Sequence, residues 1–195
     1  MQQPVANQRR DRLLTRRASR PARRGFTLIE LLAVVAMIGI LAALALVGYR
    51  RYLHASHSGE AKEIIGQIHV AEASYRSETL GYLSCSSSLH DWYPAKPNGK
   101  KRHWISTSHS AKACWKMLNV AVDSPTLFGF AVVAGAPSET PPTPDTAANP
   151  NFPASPTEPW YVVQAAGDQN GDSHFSYFVS SSFQPSEIYV ENESD

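Results

Sequence analysis

The sequence predicts an α+β chain: a long N-terminal helix followed by a C-terminal half of about four strands. Three observations carry the prediction. A 24-residue apolar run, Phe26–Tyr49, contains one charge, Glu30. Helical spacing of apolar residues then continues to about Ser77. From Leu127 onward, short β-branched and aromatic runs bounded by turn residues replace that spacing.

The helix has two characters. At a rise of about 1.5 Å per residue, about 20 residues cross the apolar core of a bilayer, so the run 26–49 is long enough to span one. It is longer than a signal-peptide core, and no A-x-A-like site follows it. Beyond it, Tyr52, Leu53, Ile64, Ile65, Ile68, Ala71, Ala73 and Tyr75 mix with Glu60, Lys62, Glu63, Glu72, Arg76 and Glu78. The 64/65/68/71/75 spacing is one helix stripe. Ser56-His57-Ser58-Gly59 interrupts the pattern without ending it. One helix from about Phe26 to about Ser77 is predicted, apolar all round in its first half and amphipathic in its second. Such a helix leaves a membrane or another apolar environment and then packs on a domain.

Residues 79–126 read as irregular, with Gly81, Pro94, Pro97 and Gly99 as breakers. Trp115 to Val122 is a short ordered element whose type the residues leave open. Four strands follow at Leu127–Val133, Trp160–Ala166, His174–Ser180 and Glu187–Val190. In the third, Phe175, Tyr177 and Val179 alternate with His174, Ser176 and Phe178, so one face reads as more polar than the other. Between the first two strands, eight prolines fall within residues 136–159 (Pro137, Pro141, Pro142, Pro144, Pro150, Pro153, Pro156 and Pro159). Proline cannot donate to a ladder, so this stretch reads as an extended surface loop outside the core.

Charge divides the chain as sharply as hydropathy does. Residues 1–25 hold eight arginines (Arg9, Arg10, Arg12, Arg16, Arg17, Arg20, Arg23 and Arg24) against one acid, Asp11. The rest holds 10 Lys+Arg against 16 Asp+Glu. A basic block directly before an apolar span is retained on the cytoplasmic side, which sends residues from about Arg50 outward. A nucleic-acid-binding tail is the bland rival for such a block. Cys85 and Cys114 then sit in an oxidising compartment as candidates for one disulfide, set against two buried free thiols. By loop entropy that bridge is worth roughly 3–4 kcal/mol.

Glu30 is the most informative residue. A carboxylate inside an apolar span costs at least about 2.5 kcal/mol, so it reads as functional and calls for a partner. Its bland reading is an interfacial acid helped by the helix dipole. The residues around it are Arg24-Gly25-Phe26-Thr27-Leu28-Ile29-Glu30-Leu31-Leu32, with Ile38-Gly39-Ile40-Leu41-Ala42-Ala43 further along the run. This resembles the N-terminal signal of type IV prepilins and the related pseudopilins. The resemblance implies that a prepilin peptidase cuts after Gly25 and N-methylates Phe26. It implies that Glu30 meets the N-terminal amine of a neighbouring subunit during assembly. It also implies a pilin-like fold, the long helix laid against a C-terminal antiparallel sheet. Many members carry a proline late in the run; here Val47 stands at that position, with Gly48 next.

The expected organisation is therefore a cleaved leader 1–25, a membrane or filament-core helix 26–49, and a periplasmic or surface domain 50–195. Expected partners are other pilins in a homo- or hetero-polymer, the prepilin peptidase and the inner membrane. Outside the N-terminus, Gly167-Asp168-Gln169-Asn170-Gly171-Asp172 joins the second and third strands. Asp168, Asn170 and Asp172 alternate as oxygen ligands do in Ca²⁺ loops, while Asn-Gly is itself a hairpin signal. Position 12 of an EF-hand would be Val179, so this is no EF-hand. His54 and His57 are spaced i, i+3, but no further zinc ligands of suitable spacing accompany them. Lys96, Lys100, Lys101 and Arg102 with Trp92, Tyr93 and Trp104 form a basic-aromatic cluster of the kind that binds single strands. A solvated loop is the preferred reading there. No Gly-x-Ser-x-Gly, Walker or His-Glu-x-x-His pattern occurs, so no enzyme is expected. A filament subunit leads, a type II secretion pseudopilin is the alternative, and a membrane-anchored periplasmic enzyme comes last.

Overall fold

The computed structural model describes residues 25–105, 108–146 and 150–193; the expected leader, apart from Gly25, lies outside them. Helix α1 runs Leu28–Thr79, and α2 is Lys112–Met117. Four strands follow: β1 Phe128–Gly135, β2 Trp160–Gly167, β3 Ser176–Ser181 and β4 Tyr189–Glu191. The chain divides into two units, one ending at Ala43 and the other beginning at Leu44.

In the first unit α1 is apolar on every side, and its side chains are exposed throughout. By length and composition α1 can cross a membrane. It is unbroken through Val47 and Gly48. A helical glycine costs about 1 kcal/mol, against about 3 for proline, and neighbouring Leu, Ala and Val carry the helix through. α1 ends at Thr79; the next residue, Leu80, has a left-handed φ of 65°, and its N–H reaches Arg76 O at 2.8 Å. The breaker legible in the sequence, Gly81, comes one residue later.

In the second unit the strands form one antiparallel meander in the order β1-β2-β3-β4. Strand alternation then decides the faces. Phe128, Phe130 and Val132 join Tyr161, Val163, Ala165 and Phe178 in a core with Ala61, Ile64, Ile65 and Ile68 of α1. The predicted stripe is the one that packs, with Ala71 and Tyr75 at its edge. Register puts Phe130 beside Ala165 and Ala165 beside Phe178. Gly167 lies opposite Phe128 because a Cβ there would sit 2.3 Å from the Phe128 ring.

The structure settles which face of β3 is interior and corrects the reading of the proline-rich stretch. The face of β3 that carries the serines is the one that meets α1: Ser176, Phe178 and Ser180 are buried there, and Phe178 belongs to the main core. The serines are tolerated because they find partners; Ser180 Oγ, for example, donates to Glu187 O at 2.6 Å. The proline-rich stretch is irregular as expected, yet it is not outside the core. Phe152 packs on Leu89, Trp160, Val162 and Val179. Trp160 Nε1 donates to Glu139 O at 3.0 Å, and Pro141, Pro144, Pro150 and Pro156 are buried. The cause is β2, which is buried on both faces; a strand apolar on both sides needs cover on both.

The segment between α1 and β1 supplies the rest of that cover. Tyr93 bridges to Phe130, and Arg102 bridges to Thr126. The short element of undecided type proves to be α2, which buries Trp115, followed by Leu118, Val120 and Val122 running into the core.

Candidate functional site

At the head of α1, Thr27 stands at the N-cap and Glu30 three residues on. Glu30 N–H donates to Thr27 Oγ1 at 3.3 Å. Glu30 Oε2 accepts Thr27 N–H at 3.0 Å and the Thr27 hydroxyl at 2.9 Å. This reciprocal pattern is a capping box, which satisfies two backbone donors that a helix start leaves open. The Thr-x-x-Glu spacing carries that signal openly in the sequence. Phe26 immediately precedes the cap and is 84% exposed. Gly25 has open space around its α-carbon. The described part of the proposed processing site is thus an accessible segment entering a capped helix.

Cys85 and Cys114 are bonded, with Cα atoms 5.3 Å apart. The bridge ties the chain leaving α1 to the first turn of α2. The Gly167–Asp172 segment forms the β2–β3 turn through its own side chains. Asp168 is 3% exposed, and its Oδ1 accepts Gly171 N–H at 2.7 Å. Asn170 Oδ1 accepts Asp172 N–H at 3.0 Å, and Asp172 Oδ1 accepts His174 N–H at 2.8 Å. That backbone donor leads the groups holding the Asp172 carboxyl below its ordinary range. The oxygens a cation would use therefore accept N–H donors within the loop.

His54 and His57 do converge, on an amide: each Nδ1 lies 3.2 Å from Gln169 Oε1. Gln169 Nε2 in turn donates to Ser176 Oγ at 3.1 Å. Among the described residues no group of three or more His, Cys, Asp or Glu side chains is placed to hold a metal. In the basic-aromatic cluster, Trp92, Tyr93 and Trp104 are buried, and Tyr93 and Trp104 pack edge to face at 4.9 Å. These rings belong to the interior, and the neighbouring lysines stand without an exposed stacking surface from them.

Sequence reasoning also missed a buried polar chain between α1 and the sheet. His69 Nδ1 bonds the Tyr161 hydroxyl, and His69 Nε2 lies 2.9 Å from Ser180 Oγ. Ser180 spends its proton on Glu187 O, so it must accept from His69. The ring is therefore the Nε2–H tautomer, and Tyr161 donates to Nδ1. Burial pushes the His69 pKa down, in keeping with a neutral ring. One turn on, Glu72 is fully buried. Its Oε2 accepts Leu83 N–H at 3.0 Å, and burial raises its pKa to about 7.

Comparison with known proteins adds weight at the N-terminus. The family model for the prokaryotic N-terminal methylation motif matches residues 20–46. The chain is 47% identical over 69 residues to the type IV major pilin protein PilA of Myxococcus xanthus, covering 35% of this chain and 31% of that one. It is 47% identical over 55 residues to the fimbrial protein EcpC of Eikenella corrodens, 28% of this chain and 36% of that one. It is 48% identical over 48 residues to the type IV major fimbrial protein FimA of Dichelobacter nodosus, 25% and 31%. The chain thus spans about a third of the length of the curated relatives it matches. No solved structure matches it significantly. The methylation motif thus brackets Gly25 and Glu30, and over that N-terminal stretch the chain is similar to type IV pilins and fimbrial proteins.

Proposed function

We propose that this chain is a structural subunit of a type IV pilus-like filament, cut after Gly25 by a prepilin peptidase and assembled through the first half of α1. The observation that carries the reading is Glu30, the one charge in the run Phe26–Tyr49. Before assembly the chain spans the inner membrane once. The arginine block holds the leader in the cytoplasm, and the domain from about Arg50 lies outside. Cleavage converts the Phe26 nitrogen from an amide into an amine that the peptidase methylates. That ammonium and a neighbour's Glu30 carboxylate each lower the cost of burying the other in a helix bundle. The same pairing sets the axial register between subunits.

The capping box supports a two-stage role. In the uncut chain Thr27 occupies Glu30 Oε2, so the carboxylate enters the apolar phase hydrogen-bonded. A neighbour's ammonium then adds to a pre-oriented carboxylate. The pseudopilin alternative shares every one of these N-terminal features. The covered, proline-rich insertion and the disulfide favour an exposed filament, where a constrained surface is useful.

Mass spectrometry of material from the native host should find an N-methylated Phe26 as the first residue; assembled protein starting at Met1 would overturn the proposal. Glu30→Val should insert in the membrane at least as well as wild type and fail to build normal filaments. Wild-type filaments from that variant would remove the register argument. Sheared cell-surface filaments should contain the chain, whereas confinement to a periplasmic secretion assembly would favour the pseudopilin.

A further inference from the structure

In the unit that begins at Leu44, opposite charges are sorted to different stretches of chain. Six of the ten Lys and Arg that follow Gly25 fall within residues 96–116: Lys96, Lys100, Lys101, Arg102, Lys112 and Lys116. Residues 127–193 hold eight acids and no Lys or Arg. All six cations are exposed, and none makes an ion pair among the described residues. The cations that do meet the acidic half come from α1: Lys62 reaches Glu193 at 2.5 Å, and Arg76 reaches Glu158 at 2.9 Å. Asp91, close to the basic stretch in sequence, is already held by Ser87 and His109.

The sheet sets these charges at its two sides. β1 and β4 are the outer strands. Tyr93 exchanges both backbone bonds with Phe130, and Arg102 exchanges both with Thr126, just before β1. The basic stretch is thereby tied to the side of β1 that β2 leaves free. β4 contains Glu191 and is flanked in sequence by Glu187 and Glu193. With strands about 4.8 Å apart, β1 and β4 are separated by about 14 Å, more than the Debye length of about 8 Å at physiological salt. A short, charged edge strand guards against edge pairing, which accounts for β4 and leaves the cations beside β1 unexplained. A nucleic acid is disfavoured as their partner, because Trp92, Tyr93 and Trp104 are buried and the acids of the same unit repel a polyanion.

We propose that copies of this chain associate head to tail, the basic β1 side of one meeting the acidic β4 edge of the next. Lys96, Lys101 and Arg102 supply the cations, and Glu187, Glu191 and Glu193 receive them. Ile105, 70% exposed and three residues after Arg102, adds an apolar contact. The two surfaces are unlike, so the contact repeats from copy to copy and does not close a two-fold dimer. It needs only copies standing side by side, and so goes beyond the filament reading without resting on it.

The test uses the full, uncut chain in lipid vesicles, so that no free Phe26 amine contributes to association. An equal mixture of ¹⁴N- and ¹⁵N-labelled protein is treated with a carbodiimide, which joins a lysine amine to a carboxylate where the two touch. Mass spectrometry should find mixed-isotope peptide pairs linking Lys96, Lys100 or Lys101 to Glu187, Glu191 or Glu193. Their absence, or mixed pairs confined to other residues, would overturn the proposal. Energy transfer between donor- and acceptor-labelled chains should show association weakening about tenfold or more as salt rises from about 50 to about 500 mM. Lys100→Glu with Lys101→Glu should weaken self-association about tenfold or more at low salt, and so should Glu187→Lys with Glu193→Lys, each with a cooperative thermal transition. An equal mixture of the two variants should recover wild-type association, because the acidic loop of one then meets the basic edge of the other. Folded variants that associate like wild type, or a mixture that stays apart, would refute head-to-tail pairing. If either variant does not fold, the wild-type cross-links and salt dependence decide.

Discussion

Glu72 lies inside the contact between α1 and the sheet, fully buried. Its Oε2 bonds Leu83 N–H, and its Oε1 has no partner among the described residues. Desolvation raises its pKa from 4.5 to about 7, so the folded chain holds this proton more tightly than the unfolded one. The stability it contributes is therefore complete below about pH 4.5 and is lost as pH rises through about 7. At about 1.36 kcal/mol per pKa unit, the loss is about 3 kcal/mol. His69, one turn away, works in the opposite sense. Its pKa is lowered from 6.5 by burial, so its contribution is lost as pH falls below that value. The two overlap, and one pH profile of the wild type does not separate them. Glu72→Gln does, because glutamine keeps an acceptor for Leu83 and cannot ionise. Urea unfolding of the detergent-solubilised full chain, followed by tryptophan fluorescence, should be run from pH 4.5 to 8. The advantage of Glu72→Gln over wild type should grow by about 3 kcal/mol across that range, most steeply between pH 5 and 7. A difference that stays constant with pH would refute the assignment of a buried, proton-holding Glu72.

Three other outcomes are expected. Cys114→Ser should lower stability by about 3.5 kcal/mol, from the entropy of the loop it reopens across a separation of 29 residues; wild type under reductant should show the same loss in urea. Gly129→Ala should cost about 1–3 kcal/mol in the same assay, because its Cβ would sit 2.8 Å from Ala95 O and 2.9 Å from Trp92 Cβ, and a backbone oxygen cannot swing aside. Millimolar Ca²⁺ and excess chelator should give equal thermal midpoints, since the oxygens of Asp168, Asn170 and Asp172 already accept loop donors. A midpoint several degrees higher with Ca²⁺, reversed by chelation, would make the loop an ion site.

The features legible in the sequence are those written by local rules. The span of α1 follows from an apolar run and a 3.6-residue stripe, both of which act between near neighbours along the chain. Glu30 stands out because one charge in a run of 24 residues needs no partner to be noticed. The capping box was equally local and was readable from Thr27 and Glu30.

Other features depend on residues far apart in the chain. Ser176 and Ser180 made one face of β3 look polar, yet that face is buried because α1 covers it and supplies partners such as His69 to Ser180. His54 and His57 looked like an incomplete metal pair until folding brought Gln169 to them. The prolines of 136–159 exclude a ladder strand correctly, but they do not reveal that β2 needs a second cover.

By itself, then, the sequence determined the helix, the order of elements and the chemical singularity of Glu30, because hydropathy, charge and capping act over a turn or two of chain. Only the tertiary structure decided which face of each strand is interior, that Cys85 and Cys114 lie close enough to bond, and that Glu72 and the Trp115 indole are sealed from water. Burial is a property of what packs on a residue, and in this domain the covering atoms come from distant segments.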